Sequence, residues 1–410
     1  MRGPEIDLDT DLWRRSLGPA LRNWWGERRI LLMRVAVVLL VVCAAVKLGM
    51  DVPRLLWAPP RPNAVDLALR HREVHAWFAG QPVYRELKRA IYPPATYVML
   101  WPFVGWLDLA PARWLWAATA LSLLAGLAFF AIRGSGATTP LERALAALLA
   151  IGMNATGMAV GNGQLTLHVL VPLIAAAFLL RRGPDRWGRD IVAALLLLFS
   201  LVKPSISVPF FPLALLCGGV RVLLLVAAGY AALTLMAAWF QPDGVLVLFS
   251  DWMKLSLAES AGFGYANLHS WLGAVGLQRW DLWASFLALA ALSAWVYRHR
   301  RADAWLLIGV TALVARLWMY HQLYDDVLIL LPMIALFRIA KWAVSPPGRG
   351  LLAGVLLTIA TAAMLMPTRF GLSSSPWQPL FSGAHAAVWL VVLVFLLQQA
   401  SLELRTPREP

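Results

Sequence analysis

The chain has 410 residues, of which 60% are hydrophobic and only 14% charged, with a formal net charge of +14. A soluble domain carries about 25% charged residues, so this composition excludes a chain wetted on all sides. The positive balance does not mark a nucleic-acid partner, because no basic run alternates with stacking aromatics in a polar context; the arginines sit between apolar runs instead.

A membrane span needs about 20 apolar residues, fewer where a helix is short or tilted inside a bundle. Residues 1–29, with Trp24, Trp25, Arg28 and Arg29, read as an amphipathic cytoplasmic segment. The apolar run from Ile30 to Leu48 starts too late for a cleavable signal, so it reads as an uncleaved first span. Spans are predicted at 30–50, 111–132, 164–180, 190–202, 205–218, 221–240, 282–297, 304–318, 324–341, 350–366 and 384–399. Two further runs, 93–107 and 141–153, are short, and their crossings stay open. Cys43 and Cys217 lie inside apolar runs and read as fillers, not as a disulfide or metal site.

Lys and Arg mark cytoplasmic loops. Here they gather at the N-terminus, at Arg181, Arg182, Arg186 and Arg189, at Arg221, at Arg298, Arg300 and Arg301, and at Lys341 and Arg349. The expected fold is therefore all-α: a polytopic transmembrane helical bundle of about twelve spans with both termini cytoplasmic. Residues 30–400 form its single domain, with outer loops 51–92 and 241–281, and 401–410 form a cytoplasmic tail. The expected location is the inner, cytoplasmic membrane.

This orientation places 51–92, 154–163, the end of span 190–202, 241–281, 319–324 and 367–383 on the outer face, where the candidate functional residues lie. In the first loop, Asp66 stands beside apolar surface, which raises a carboxylate's pKa and suits it to act as a general base. The same stretch, 66–80, alternates polar and apolar residues at helical spacing and also fits a solvated amphipathic helix. Arg70 fits either a surface charge or an anion site. Tyr84 precedes Tyr92-Pro93-Pro94, and prolines open a helix well because first-turn amides need no partner.

Next, Gly152, Gly157, Gly161 and Gly163 bracket Asn162 ahead of Gln164, as a plain turn or as backbone lining a cavity. Asn154-Ala155-Thr156 matches a glycosylation acceptor pattern. Lys203-Pro204 ends an apolar span; a lysine there either snorkels to the interface or holds a lipid-linked phosphate. Asn267 and His269 follow in the second long loop, then Tyr320-His321 and Tyr324-Asp325-Asp326 between two spans. A boundary histidine is placed to bind phosphate, to shuttle protons or simply to mark the interface. No metal-ligand spacing and no nucleotide-binding glycine fingerprint occurs, which argues against an ATP-driven pump; nothing in the sequence demands a metal, and metal dependence stays open.

The order of these features resembles glycosyltransferase family 87, within the polyprenyl-phosphate-sugar-dependent glycosyltransferases of the GT-C class, which includes phosphatidylinositol mannoside mannosyltransferases. The resemblance is carried by Asp66, Gly80-Gln81-Pro82-Val83-Tyr84, Tyr92-Pro93-Pro94, Gly163-Gln164, Lys203-Pro204, Asn267 to Ser270, and His321 with Tyr324. The chain departs from the pattern at Arg70, where an aromatic is expected, at Thr166 in place of Asn, and at Gln322 in place of an acid. Asn267 to Ser270 is one residue longer than the usual motif.

The resemblance implies transfer of one sugar, mannose by family habit, from a polyprenyl-phosphate donor to a lipid or glycan acceptor. Transfer would occur on the extracytoplasmic face, with inversion. Asp66 would be the general base; Lys203, His321 and Arg70 would hold the donor phosphate. Tyr84, Tyr92, Asn162, Gln164, Asn267, His269 and Tyr324 would bind substrate. The donor, the acceptor and membrane lipids are the expected partners of a monomer, with no nucleic acid. A lipid or solute transporter or flippase is the alternative, although the paired inverted halves common in transporters are not visible in the sequence.

Overall fold

A computed structural model describes residues 18–57, 64–180, 187–262, 267–342, 348–367 and 375–405, and among them there are helices and turns but no strand. The predicted segment up to residue 17, Arg181, Arg182, Arg186, residues 368–374 of the last outer segment and residues 406–410 of the tail lie outside the described residues.

The principal helices are α1 (Gly18–Leu56), α2 (Val65–Phe78), α3 (Pro94–Leu100), α4 (Leu109–Ser135), α5 (Pro140–Gly152), α6 (Asn154–Asn162), α7 (Thr166–Leu180) and α8 (Trp187–Ser200). They continue with α9 (Phe211–Trp239), α10 (Val245–Gly262), α11 (Leu268–Ala274), α12 (Asp281–Arg298), α13 (Ala304–Leu317), α14 (Leu330–Trp342), α15 (Arg349–Leu365) and α16 (Gln378–Arg405).

By length and composition, five stretches among the described residues suffice to cross a membrane: Ile30–Leu56, Leu109–Ser135, Pro204–Trp239, Gln278–Arg298 and Gln378–Leu404. A sixth arises if α5 and α6, bent by 47°, form one broken span. Fewer helices reach spanning length than the dozen predicted, because several apolar runs fold as short or interrupted helices. Run 93–107 is one: Pro93 is extended (φ −67°, ψ 159°), Pro94 opens α3, and a π-helical turn from Trp101 to Gly105 follows. The runs 205–218 and 221–240 form one hydrogen-bonded stretch interrupted at Gly219 (φ 67°, ψ −176°), a backbone state reserved for glycine.

Helices that are apolar all round belong inside a bundle. The inner helices here are α7, α13 and α14, most of whose residues are buried. By contrast, only 11% of the most apolar stretch of α1 is buried, and residues such as Leu31, Val38 and Val42 face outward, while Leu40 and Leu55 pack into the core.

Charged groups divide the two ends of the bundle. At one end Arg338 meets Asp303 at 2.6 Å and Lys341 meets Glu142 at 2.6 Å, where a Thr139–Glu142 capping box starts α5. At the other end the loop elements pack on one another. Arg85 bridges Asp243 (2.9 Å) and Asp251 (3.1 Å), and Trp252 Nε1 donates to the Ile91 carbonyl (2.9 Å). α2 lies at this end and buries Leu67, Arg70, Glu73, Val74 and Trp77 along one face. Trp77 stacks on Tyr97 (4.3 Å between centroids) and donates to the Ala237 carbonyl (2.9 Å), which fixes α2 against α3 and α9.

Candidate active site

A cavity of about 220 Å³ opens where α2, the loop before α3, the α6–α7 turn and the segment after α13 converge. Its polar lining comes from Asp66, Arg70, Arg89, Tyr92, Gln164, Tyr320, Gln322 and Tyr324.

Two local backbone features place the carboxylate. Ala64 adopts a left-handed conformation (φ 50°, ψ 47°) and turns the chain into α2, so that Asp66 falls in the first helical turn. A carboxylate is favoured there by the unpaired amides and the helix dipole. On the facing turn, Gly163 ends α6 with φ 69°, and a Cβ added to it would stand 2.5 Å from the Leu67 Cβ. Only glycine permits both that φ and that approach, and the approach brings the Gln164 side chain into a hydrogen bond with Asp66. Burial pushes the Asp66 carboxyl above its ordinary pKa, while the Gln164 hydrogen bond and the charges of Arg70 and Lys203 pull against that rise.

Behind the cavity lies a buried network centred on Asp325. Its Oδ1 accepts from Thr166 Oγ1 (2.7 Å) and Lys203 Nζ (2.5 Å). Its Oδ2 faces His321 Nδ1 (3.1 Å) and accepts from the Gln322 amide (3.3 Å). The other ring nitrogen of His321 meets the Ala315 carbonyl at 2.8 Å, so neither nitrogen is left for the cavity. The Lys203 ammonium also lies over the Tyr324 ring, 5.1 Å from its centroid. Next to Asp325, the Asp326 carboxylate pairs with the fully buried Arg316 and ties this segment to α13.

Arg70 is similarly committed. Its Nη1 sits 2.7 Å from Glu73 Oε2, off the line of a hydrogen bond but well within ion-pair distance. Nη2 donates to the Arg89 carbonyl (3.2 Å), and the guanidinium lies 4.5 Å from the Tyr92 ring centroid. Burial pushes the Glu73 carboxyl up to about 7, with Arg70 opposing the rise.

The structure thus brings Asp66, Arg70, Tyr92, Gln164 and Tyr324 to the cavity wall, with Lys203 and His321 one layer behind it. The remaining candidates lie elsewhere. Tyr84 is buried and donates to the Tyr92 carbonyl (2.8 Å), positioning that residue rather than facing the cavity. Asn162 ends α6 and does not line the cavity. Asn267 caps α11 in a reciprocal box with Ser270, and buried His269 bonds Ser285 Oγ at 2.7 Å. Asn154 is also buried and donates to the Met366 carbonyl (2.6 Å), which removes it as a glycan acceptor.

Arg89, Tyr320, Gln322 and Asp325 also belong to this constellation, although the sequence assigned none of them an individual role. For Asp325 a signal existed: two adjacent carboxylates beside an apolar run are costly unless each finds a cation. Two departures from the family pattern fall in the same place. Thr166 bonds Asp325, and the Gln322 side-chain Nε2 donates to the Tyr320 hydroxyl at 2.8 Å.

A family model described as glycosyltransferase family 87 matches residues 90–323. That range contains Tyr92, Gln164, Lys203 and His321; Asp66 precedes it, and Tyr324 follows it by one residue. No curated protein and no solved structure matches the chain. The match covers more than half of an all-helical chain with several apolar, spanning-length helices, and the protein belongs to glycosyltransferase family 87 as a membrane glycosyltransferase.

Proposed function

We propose that this protein transfers one sugar from a polyprenyl-phosphate donor to a lipid or glycan acceptor at the Asp66 cavity, with inversion at the anomeric carbon. Asp66 carries the reading: it is a carboxylate on the wall of a polar cavity, held by Gln164, with its pKa raised by burial. A base poised above the ordinary carboxylate range takes a hydroxyl proton more readily than an ordinary aspartate.

In the proposed step the acceptor hydroxyl oxygen attacks the anomeric carbon from the side opposite the phosphate. The new carbon–oxygen bond forms as the bond to the phosphate oxygen breaks. The proton passes to Asp66, and the electron pair leaves with the lipid phosphate. Negative charge therefore grows on the phosphate, and fixed positive charge in a water-poor site is the most effective way to stabilise it. Lys203 and His321 act from behind the wall, where they set the position and charge of Asp325. Arg70 supports the rim by cradling Tyr92 and the Arg89 carbonyl. Tyr92 and Tyr324 offer ring faces against which a sugar packs.

Mannose as the sugar, an extracytoplasmic site and an inner-membrane location are part of this reading, supported by the charge bias of the loops and by the family resemblance. The test is transfer by the purified full-length protein from a radiolabelled polyprenyl-phosphate sugar into a lipid extract. Asp66→Asn is expected to abolish transfer while leaving the thermal unfolding profile unchanged. Undiminished transfer by that variant removes Asp66 as the base.

A further inference from the structure

We infer that Arg89, at the rim of the cavity, is the residue that grips the donor's phosphate directly. The inference rests on the transferase reading above and names the group that reading leaves open. Lys203, Arg70 and Arg89 stand at or behind this wall, and the first two already face carboxylates. Lys203 is bound to Asp325 at 2.5 Å, and Arg70 lies 2.7 Å from Glu73. Arg89 lines the cavity with an exposed side chain that forms no ion pair with any described residue.

Its backbone is nonetheless held in place. The Arg89 carbonyl accepts from Arg70 Nη2 (3.2 Å) and from the Ile91 amide (2.9 Å). Two residues on, Trp252 anchors the Ile91 carbonyl at 2.9 Å. A fixed backbone carrying a free guanidinium at a cavity mouth fits the chemistry of the donor. A polyprenyl-phosphate sugar is a phosphodiester with one negative charge, and its leaving group is a phosphate monoester that gains a second. A planar guanidinium presents two parallel N–H groups to such a phosphate, which an ammonium cannot reproduce. Because the charge grows as the bond breaks, the contact strengthens in the transition state and acts on kcat as well as on donor binding.

The probes are farnesyl phosphate and farnesol, with binding to the purified full-length protein followed by tryptophan fluorescence. Wild type is expected to bind farnesyl phosphate at least tenfold more tightly than farnesol, and Arg89→Ala to lose that preference. In the transfer assay Arg89→Ala should raise the donor KM about tenfold or more and lower kcat, with the acceptor KM unchanged. Arg89→Lys should recover binding more fully than kcat. Equal preference for farnesyl phosphate in wild type and Arg89→Ala overturns the inference, as does a wild type that does not distinguish phosphate from alcohol. A wild type that binds farnesyl phosphate through Arg89 yet transfers no sugar from any polyprenyl-phosphate donor overturns the transferase reading and leaves the phosphate contact standing.

Discussion

The Lys203 ammonium and the Asp325 carboxylate, 122 residues apart in the chain, meet at 2.5 Å in the buried wall behind the Asp66 cavity. Taking both charges out of water is costly; Asp325 is the charge that compensates Lys203, and Lys203 is the cation in the polar network around Asp325. Their contact joins the turn after α8 to the segment after α13 and sets one side of the site.

Breaking this pair from one side is expected to be more damaging than removing it. Lys203→Ala should destabilise the protein by about 3–5 kcal/mol, because Asp325 is left buried and less compensated. The double variant Lys203→Met/Asp325→Leu should recover much of that loss without recovering transfer. Thermal unfolding in detergent, run beside the transfer assay, checks both halves. Equal stability of the single and double variants would show that the pair is not coupled.

Gly163 and Gly276 make a controlled comparison. Both have positive φ, 69° and 75°, but a Cβ at Gly163 would stand 2.5 Å from the Leu67 Cβ, whereas nothing lies within 4 Å at Gly276. Gly276→Ala should therefore cost about 1–2 kcal/mol from backbone strain alone. Gly163→Ala adds overpacking of about 1–3 kcal/mol and pushes α2 away from Gln164, so transfer should fall with it. Melting temperatures and specific activities of the two variants separate the contributions.

The carboxyl of Glu73 carries a stability signature in pH. Its pKa is raised to about 7 in the folded chain from an ordinary value of 4.5. The unfolded chain thus gives up the proton more readily than the folded one. The associated stability is fully present below pH 4.5 and is lost as pH rises through 7, by an amount on the order of 3 kcal/mol. Glu73→Gln is expected to flatten the slope of unfolding temperature against pH across this window. A slope unchanged in the variant would assign the dependence to other groups.

Gln164 should tune the base kinetically. Its hydrogen bond favours the charged form of Asp66, against the burial that raises the carboxyl's pKa. Transfer requires Asp66 ionised, so the acid limb of kcat/KM is expected above the ordinary carboxylate range. Replacing Gln164 by Leu removes the opposing bond and should move that limb to still higher pH. A limb that stays in place would mean that another group controls it.

Much of this protein is written locally in its chain. Apolar runs approaching about 20 residues announce membrane helices, because burial in lipid depends on composition along a single segment. Tyr92-Pro93-Pro94 foretells the start of α3, because prolines act on the residues beside them. Glycines such as Gly163 mark a sharp turn for the same reason. The ordered landmarks from Tyr92 to His321 likewise disclose the family.

The tertiary structure decided how charges are shared. Whether Lys203, Arg70 or Arg89 remains free for a ligand depends on which carboxylates the fold brings to each, and those partners lie from three to 122 residues away. The same holds for His321, whose two nitrogens are taken by Asp325 and the Ala315 carbonyl, and for the kink at Gly219 that joins two predicted runs into one interrupted stretch. Sequence patterns report neighbours along the chain. Desolvated charges select partners across it, and at this site that selection separates the residues that face the cavity from those that only hold its wall.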